Sequence, residues 1–202
     1  MSADAETHIG ETFEGLDWYG EEIGGTRYTD CTFRDVDLTE ASTRGAAFES
    51  CVFASCRLNA SRHQVSSFVA CQFRRTSLFD AAFEGCRLTG SSFVDCTMRP
   101  MTVRGGQWRG VTLRGAKLTG LDLTGLPLAE ADLSESDLTG TVLRDADLSR
   151  ATLRGATLHD TDLRGASLDG VDLGVARLRG TKIDLDGAIG LAEAMGALVE
   201  PA

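Results

Sequence analysis

The residues able to do chemistry are few in kind. Six cysteines, at 31, 51, 56, 71, 86 and 96, and three histidines, at 8, 63 and 159, are the soft and imidazole ligands available in 202 residues. No CxxC pair occurs and no two histidines lie close in sequence, so a tetrahedral zinc site is not expected. No histidine groups with a cysteine or serine as a base would with its nucleophile. The string "GGQWRG" (105–110) lacks the lysine and the strand-to-helix setting of a phosphate loop. Calcium-loop spacing is absent as well. These residue types predict no enzyme, no metal and no cofactor.

The cysteines share something else. Each falls two places before a residue numbered 13, 18, 23 and so on in steps of five. From 13 to 183 that series has 35 members without an insertion or deletion. Only Thr43 and His63 among them are not large and apolar. Two residues earlier, 29 of 35 are Ala, Ser, Thr, Cys, Val or Gly. A five-residue step turns a helix by roughly 500° and would smear the large residues around the cylinder. On a strand an odd step sends them alternately to opposite faces. A path that turns about 90° every five residues keeps them all inside. Four such walls close a coil of twenty residues, with a large side chain (position i) and a small one (i−2) pointing to the axis. Position i+2 is often Gly, as at Gly110, Gly115, Gly120 and Gly125, where a corner benefits from it. Residues 11–185 then make 8.75 coils, a rod about 42 Å long at the usual strand spacing.

Composition sets the outer bounds. At 42% hydrophobic the chain can bury one sizeable core. No apolar run is long enough to span a membrane. The start, "MSADAETHIG", has neither a basic region nor an apolar core, so no signal peptide and a cytoplasmic location are expected. In that compartment the cysteines are expected as small buried hydrophobes, not disulfides. Net charge is −10, which disfavours direct binding to nucleic acid. Residues 1–60 carry −8, residues 61–120 carry +6, and residues 121–202 carry −8.

Residues twenty apart should stack. One inward column reads Phe13, Phe33, Phe53, Phe73, Phe93, then Leu113, Leu133, Leu153, Leu173, an aromatic half followed by a leucine half. Thr43 and His63 replace core residues of one column and read either as a hydrogen-bonded pair or as a binding site. "MRPMTVRGGQWRG" (98–110) places a proline, the bulky Met101 at a small-residue position and paired glycines together, and predicts a distorted corner. Arg99, Arg104, Arg109 and Arg114 should ring one coil as a solvated belt. After Ile183 the register ends. Leu185, Ala188, Ala192, Met195 and Val199 recur at helical spacing, and Asp184 or Asp186 can cap the start. The division is thus a flexible N-terminus over 1–10, the repeat solenoid over 11–185, and a helix and tail over 186–202.

The A(D/N)LXX pattern, as in "ADLSESDLTG", resembles the pentapeptide repeat proteins throughout residues 11–185. That resemblance implies an all-β solenoid: a right-handed quadrilateral β-helix with a C-terminal capping and dimerisation α-helix. Spacing alone does not give the handedness. The strings "FESCVF" and "SRHQVSSFVACQFRRTSLFDAAFEGCRLTGSSFVDCTMRPMTV", and the apolar tail after "KIDLDGAIGLAEA", are similar to the actinobacterial MfpA branch. Those proteins, with the Qnr proteins, are dimeric DNA mimics that bind DNA gyrase, inhibit it and protect it from fluoroquinolones. The resemblance implies the same here, with the DNA-binding saddle of the gyrase A subunit as partner. Qnr proteins carry projecting loops; the unbroken register here has none. Under this resemblance Asp122, Asp132, Asp137, Asp147, Asp162 and Asp172 stand in for phosphates. Leu185, Ile189, Leu191, Ala192, Met195, Leu198 and Val199 form the dimer interface. Two other readings stay open: self-resistance to a natural gyrase poison, and an interaction scaffold with no topoisomerase partner.

Overall fold

The structure, a computed structural model, describes residues 6–200; residues 1–5 of the expected flexible segment, and 201–202 of the tail, lie outside the described residues. The chain turns a corner every five residues, and parallel neighbours are offset by twenty, as in Phe13↔Phe33↔Phe53. Counted from residue 6, wall one carries the sheet of Thr7–Ile9, Arg27–Thr29, Ala47–Glu49 and Ser67–Val69. Wall two carries Thr12–Glu14 through Ser92–Val94, and wall four Glu22–Gly24 through Met101–Arg104. Wall three is stitched by single bridges, Asp17↔Asp37↔Arg57↔Ser77↔Thr97. Beyond residue 105 all four walls are of that bridged kind.

One unit shows why the coil closes. The Asp137 N–H donates back one coil to Ala116 O (2.9 Å), and Leu138 donates forward to Thr157 O (2.8 Å). The corner residue Gly140 donates forward to His159 O, and Thr141 closes the turn onto Leu138 O. Four of five N–H groups are thus used by backbone, leaving that of Thr139. Corner residues need φ near +60°, and where glycine is missing others adopt it, Asp35 (52°), Val65 (48°) and Arg150 (58°) among them.

The bore is filled as the column pattern requires. Phe13, Phe33, Phe53, Phe73 and Phe93 stack with centroids 4.7–5.0 Å apart and planes within 12° of parallel. Tyr28, Phe48 and Phe68 make a second stack at 4.8 Å. Leu133, Leu138, Leu143 and Leu148 are each 0% exposed. The small inward residues also have a polar duty that size alone did not reveal. Thr76, Ser91, Thr141 and Thr161 donate to the carbonyl 23 residues earlier, and the thiols of Cys51, Cys56, Cys71, Cys86 and Cys96 approach the same carbonyl at 3.3–3.4 Å.

Both ends depart from the expected boundaries. The solenoid starts a wall before residue 11: His8 takes the inward place ahead of Phe13 and stacks on Tyr28 at 5.0 Å and 10°. An imidazole is flat enough to continue an aromatic stack, which the apolar pattern did not capture. At the other end the helix is Leu185–Ala194 and stops short of Val199. Gly196 (φ 89°) ends it: Gly196 N–H reaches Glu193 O and Ala197 N–H reaches Ala192 O, a Schellman closure. Asp184 is the cap, accepting from Gly187 N–H (3.0 Å) and Gly165 N–H (2.7 Å), which pins the helix to the last coil.

The distorted corner is present too. The Arg99–Pro100 peptide is cis, and a Cβ at Gly106 (φ 92°) would collide with Cys86 O. Among the described residues no backbone hydrogen bond joins 95–105 to 114–125, although both neighbouring walls stay paired.

Phe53, 1% exposed between two parallel rings, tests the bore directly. Phe53→Ala should cost about 3–5 kcal/mol in denaturant unfolding. A cost near zero would show that the stack does not hold the coils.

Candidate partner-binding surface

The six aspartates singled out in the sequence all occupy position i−1, and the structure gives that position a local task. Each accepts the N–H left over in its own unit. Asp122 Oδ1 takes Thr124 N–H (3.0 Å), Asp132 takes Ser134 (3.0 Å), Asp137 takes Thr139 (3.0 Å) and Asp147 takes Ser149 (2.9 Å). Asp162 takes Arg164 N–H (3.3 Å) and Asp172 takes Gly174 (2.8 Å). These are Asx turns. In Asp122, Asp137 and Asp147 hydrogen bonds from the side chain and backbone two residues on hold the carboxyl below its ordinary range.

The coil disperses the six. Asp122 and Asp162 lie on wall four, Asp132 and Asp172 on wall two, Asp137 on wall three and Asp147 on wall one. A partner lying flat on one wall therefore meets two at most. Asp122 and Asp172 are exposed; Asp132, Asp137 and Asp147 are half-buried but keep one carboxylate oxygen outside the turn. Asp162 differs. It is 8% exposed and held by Arg164 through both oxygens (2.9 and 2.7 Å), and Arg164 first of all drives its pKa well below the carboxylate range.

Other charges pair across coils. Glu130 sits between Arg109 (2.8 Å) and Arg150 (2.7 Å), and these two hydrogen bonds bring its pKa down to about 2. Arg114 meets Glu135 (2.7 Å) and Arg104 meets Glu84 (3.7 Å). The expected arginine belt is therefore stitched to acids of adjoining coils, with Arg99 outside that pattern. Sequence reasoning had not assigned Glu130 or Glu135 this role; their place at corners, 21 residues after an arginine, is the signal.

At the C-terminal end the predicted interface residues divide. Leu191 packs against the core cluster, and Ile189 and Ala192 are half-buried. Leu185 (75%), at the start of the helix, and Met195 (77%), Leu198 (93%) and Val199 (42%), at and after its end, are exposed.

Thr43 and His63 form a closed internal network. Thr43 Oγ1 lies 2.9 Å from His63 Nδ1 and 2.8 Å from Ser66 Oγ; Ser61 Oγ lies 3.0 Å from His63 Nε2 and 2.8 Å from Leu58 O. His63 is 3% exposed and stacks on Phe83 at 4.8 Å. Burial, with Arg62 adding to it, lowers its pKa to about 3, so the imidazole is neutral. The cysteines are free, and burial pushes the thiols of Cys56 and Cys96 up to about 11. Among the described residues no group of three His, Cys, Asp or Glu could hold a metal ion, and no helix is long and apolar enough to cross a membrane.

The family model for pentapeptide repeats matches residues 109–145 and 146–184, in eight copies. No curated protein matches the sequence. Among solved structures, a trypsin-treated variant of QnrB1, a plasmid-mediated fluoroquinolone resistance protein, is similar over 97% of this chain and 98% of its own, at TM-score 0.62 and 22% identity. Full-length QnrB1 is similar over 95% and 100%, at TM-score 0.58 and 21% identity. HetL, a pentapeptide repeat protein involved in heterocyst differentiation regulation in the cyanobacterium Nostoc sp. strain PCC 7120, covers 88% and 89% at TM-score 0.48 and 20% identity. At these identities the likeness is one of fold.

The internal network gives a test of whether wall four needs its polar pair. His63→Leu should destabilise by about 1–3 kcal/mol, because Thr43 and Ser61 lose a buried partner. Adding Thr43→Val should recover part of that loss in denaturant unfolding; strictly additive costs would show the two side chains act independently.

Proposed function

As a pentapeptide-repeat protein with the four-walled architecture of QnrB1, this chain acts, we propose, by binding and not by catalysis, as a DNA-like rod offered to a type II topoisomerase, DNA gyrase. The observation that carries the reading is the exposed apolar residues of the C-terminal end, Leu185, Met195, Leu198 and Val199, on a rod whose residues 121–202 carry −8. Two copies joined there would bury those side chains about a two-fold axis. They would also bring two segments of −8 together, at the middle of a rod of roughly 80–90 Å at the usual strand spacing. Duplex DNA of that length spans roughly 25 base pairs.

The geometry supports mimicry of a particular kind. Duplex DNA carries charge all round, and so does this rod, with aspartates on every wall. Five of the six keep an oxygen outside their turn; Asp162 is neutralised by Arg164 and contributes least. A basic saddle would read the outward oxygens of whichever walls face it. Fluoroquinolone resistance, which QnrB1's name records, is the outcome such binding would have here, by keeping DNA or the drug-stabilised complex from the enzyme.

Supercoiling by purified gyrase tests this. Micromolar protein should inhibit the reaction, with or without a fluoroquinolone present. Asp132→Asn, Asp137→Asn and Asp147→Asn together should keep the turns, since the amide oxygen still accepts the N–H, and should weaken inhibition. Met195→Asp should give monomers by light scattering and weaken inhibition as well. Absence of any effect of the unmodified protein on gyrase would leave a scaffold role with another partner.

A further inference from the structure

The solenoid has an unpaired seam, a slit, in its side. In a regular coil each unit exchanges three ladder bonds with the next. Between 95–105 and 114–125, on walls three and four, among the described residues none is made. Wall two remains paired (Phe93 N–H to Thr112 O, 3.0 Å), and so does the near side of wall one (Leu88 N–H to Gln107 O, 2.7 Å). The repeat pattern places the N–H groups of Asp95, Met98, Val103, Gly105, Lys117 and Asp122 at this gap, with a matching set of carbonyls. Backbone groups that do not pair with each other must pair with water or with a guest.

The slit opens into a cavity of about 440 Å³, within the range of ligand-holding clefts, whose lining includes Phe93, Asp95, Met98, Arg99, Arg114 and Lys117. Arg114 is taken up by Glu135 (2.7 Å). Arg99 and Lys117 have no carboxylate within ion-pair distance among the described residues, although Asp137, bridged to Lys117 one coil on, feels the charge of Arg99 two coils below. Lys117 stands where the repeat usually has aspartate. One consequence is visible: Thr139 Oγ1 donates to Asp137 (2.6 Å), whereas Thr119, its counterpart beside Lys117, has a buried hydroxyl without a partner.

We propose that this slit binds an extended acidic segment of a partner protein, which pairs its backbone with the open edges at 95–105 and 114–125 and sets its carboxylates against Arg99 and Lys117. Both donors and acceptors stand open along two edges, which suits a peptide backbone and not a lone anion. Arg99 and Lys117 outnumber Asp95, the one acid of the cavity lining, and favour acidic side chains. The slit adjoins the acidic surface at Asp122 and Asp137 but is remote from the C-terminal end, and the proposal rests on the open edges and not on the topoisomerase reading.

The test uses the full chain and a fluorescein-labelled, end-blocked peptide Glu-Val-Glu-Leu-Glu, read by anisotropy at low salt. Saturable binding is expected, falling as salt rises. Arg99→Glu with Lys117→Glu should weaken it at least tenfold, while Arg177→Glu with Arg179→Glu, the same charge change at the far end of wall three, should leave it within twofold. A backbone N-methylated peptide should bind at least tenfold more weakly. In hydrogen exchange of the unmodified protein, the amides of Met98, Val103, Lys117 and Asp122 should exchange fast when free and slow with peptide present. No saturable binding, equal loss in both double variants, or unchanged exchange at those amides would overturn the proposal. So would preferential capture of single-stranded oligothymidine or of the Lys-Val-Lys-Leu-Lys peptide.

Discussion

The backbone ladder between coils is the interaction on which the rest depends, because it ties residue n to residue n+20 and permits no other offset. Once Phe33 lies between Phe13 and Phe53, every side chain is fixed to a column of its own kind, and the bore is filled by stacks instead of a jigsaw. Each coil contacts only its neighbours, so stability is a sum along the rod. The two ends cannot share in that sum. The N-terminal end closes with His8 on Tyr28, an imidazole continuing the ring stack, and the C-terminal end with a helix tied down by Asp184. What the helix covers is the bore; what it leaves exposed is its own far side, Met195 and the residues after it.

The same ladder explains where the acids come from. Backbone partners consume four of the five N–H groups in a bridged unit, and an aspartate at i−1 is placed to accept the fifth. Acids are therefore distributed around the rod by the needs of the turn, wall after wall, before any partner is considered. That makes a charged cylinder almost unavoidable for this repeat. It also means that charge can be tuned without loss of the turn in two ways: an arginine two residues on can neutralise the carboxylate, as Arg164 does to Asp162, or a corner acid can be drawn between arginines of adjoining coils, as Glu130 is. Net charge summed over a segment accordingly overstates the field that a partner would meet.

How much of this could be read from residue types follows from what the five-residue period encodes. It encodes side-chain direction, so the inward columns, the place of all six cysteines and the 0% exposure of Leu133 to Leu148 were legible. Asp184 as a cap was legible for the same local reason. Hydrogen-bond duty was not: that Ser, Thr and Cys at i−2 reach a carbonyl 23 residues back depends on how closely coils approach. The N-terminal boundary was hidden because His8 is polar by composition and a flat ring by shape. The helix end is not legible in residue type because apolar residues continue past Gly196, where the positive φ closes the helix. The six aspartates were chosen as a set, yet a four-walled coil necessarily sends i−1 positions fifteen residues apart to adjacent walls.

The slit lies where two kinds of coil meet. Below it, walls one, two and four are short strands around aromatic rings; above it, all four walls are tight turns around leucine. Trp108 fills the junction, 6.0 Å from Phe83 and 6.3 Å from Phe93, and its indole N–H is buried without a partner. On wall one Pro127 has no N–H to return to Gly106, so that pairing runs one way, through Trp108 N–H to Pro127 O at 3.2 Å and Gly110 N–H to Ala129 O at 2.9 Å. Walls one and two pass from strand to turn with the ladder kept, Phe68 N–H donating to Arg87 O (2.7 Å) and Phe93 N–H to Thr112 O (3.0 Å). At the slit the chain keeps walls one and two paired and leaves walls three and four unpaired. A rod fastened on one side and open on the other bends most easily about the fastened side. Anything seated in the slit would therefore set the angle between the aromatic and the leucine halves, and through it the line along which the acidic half is presented.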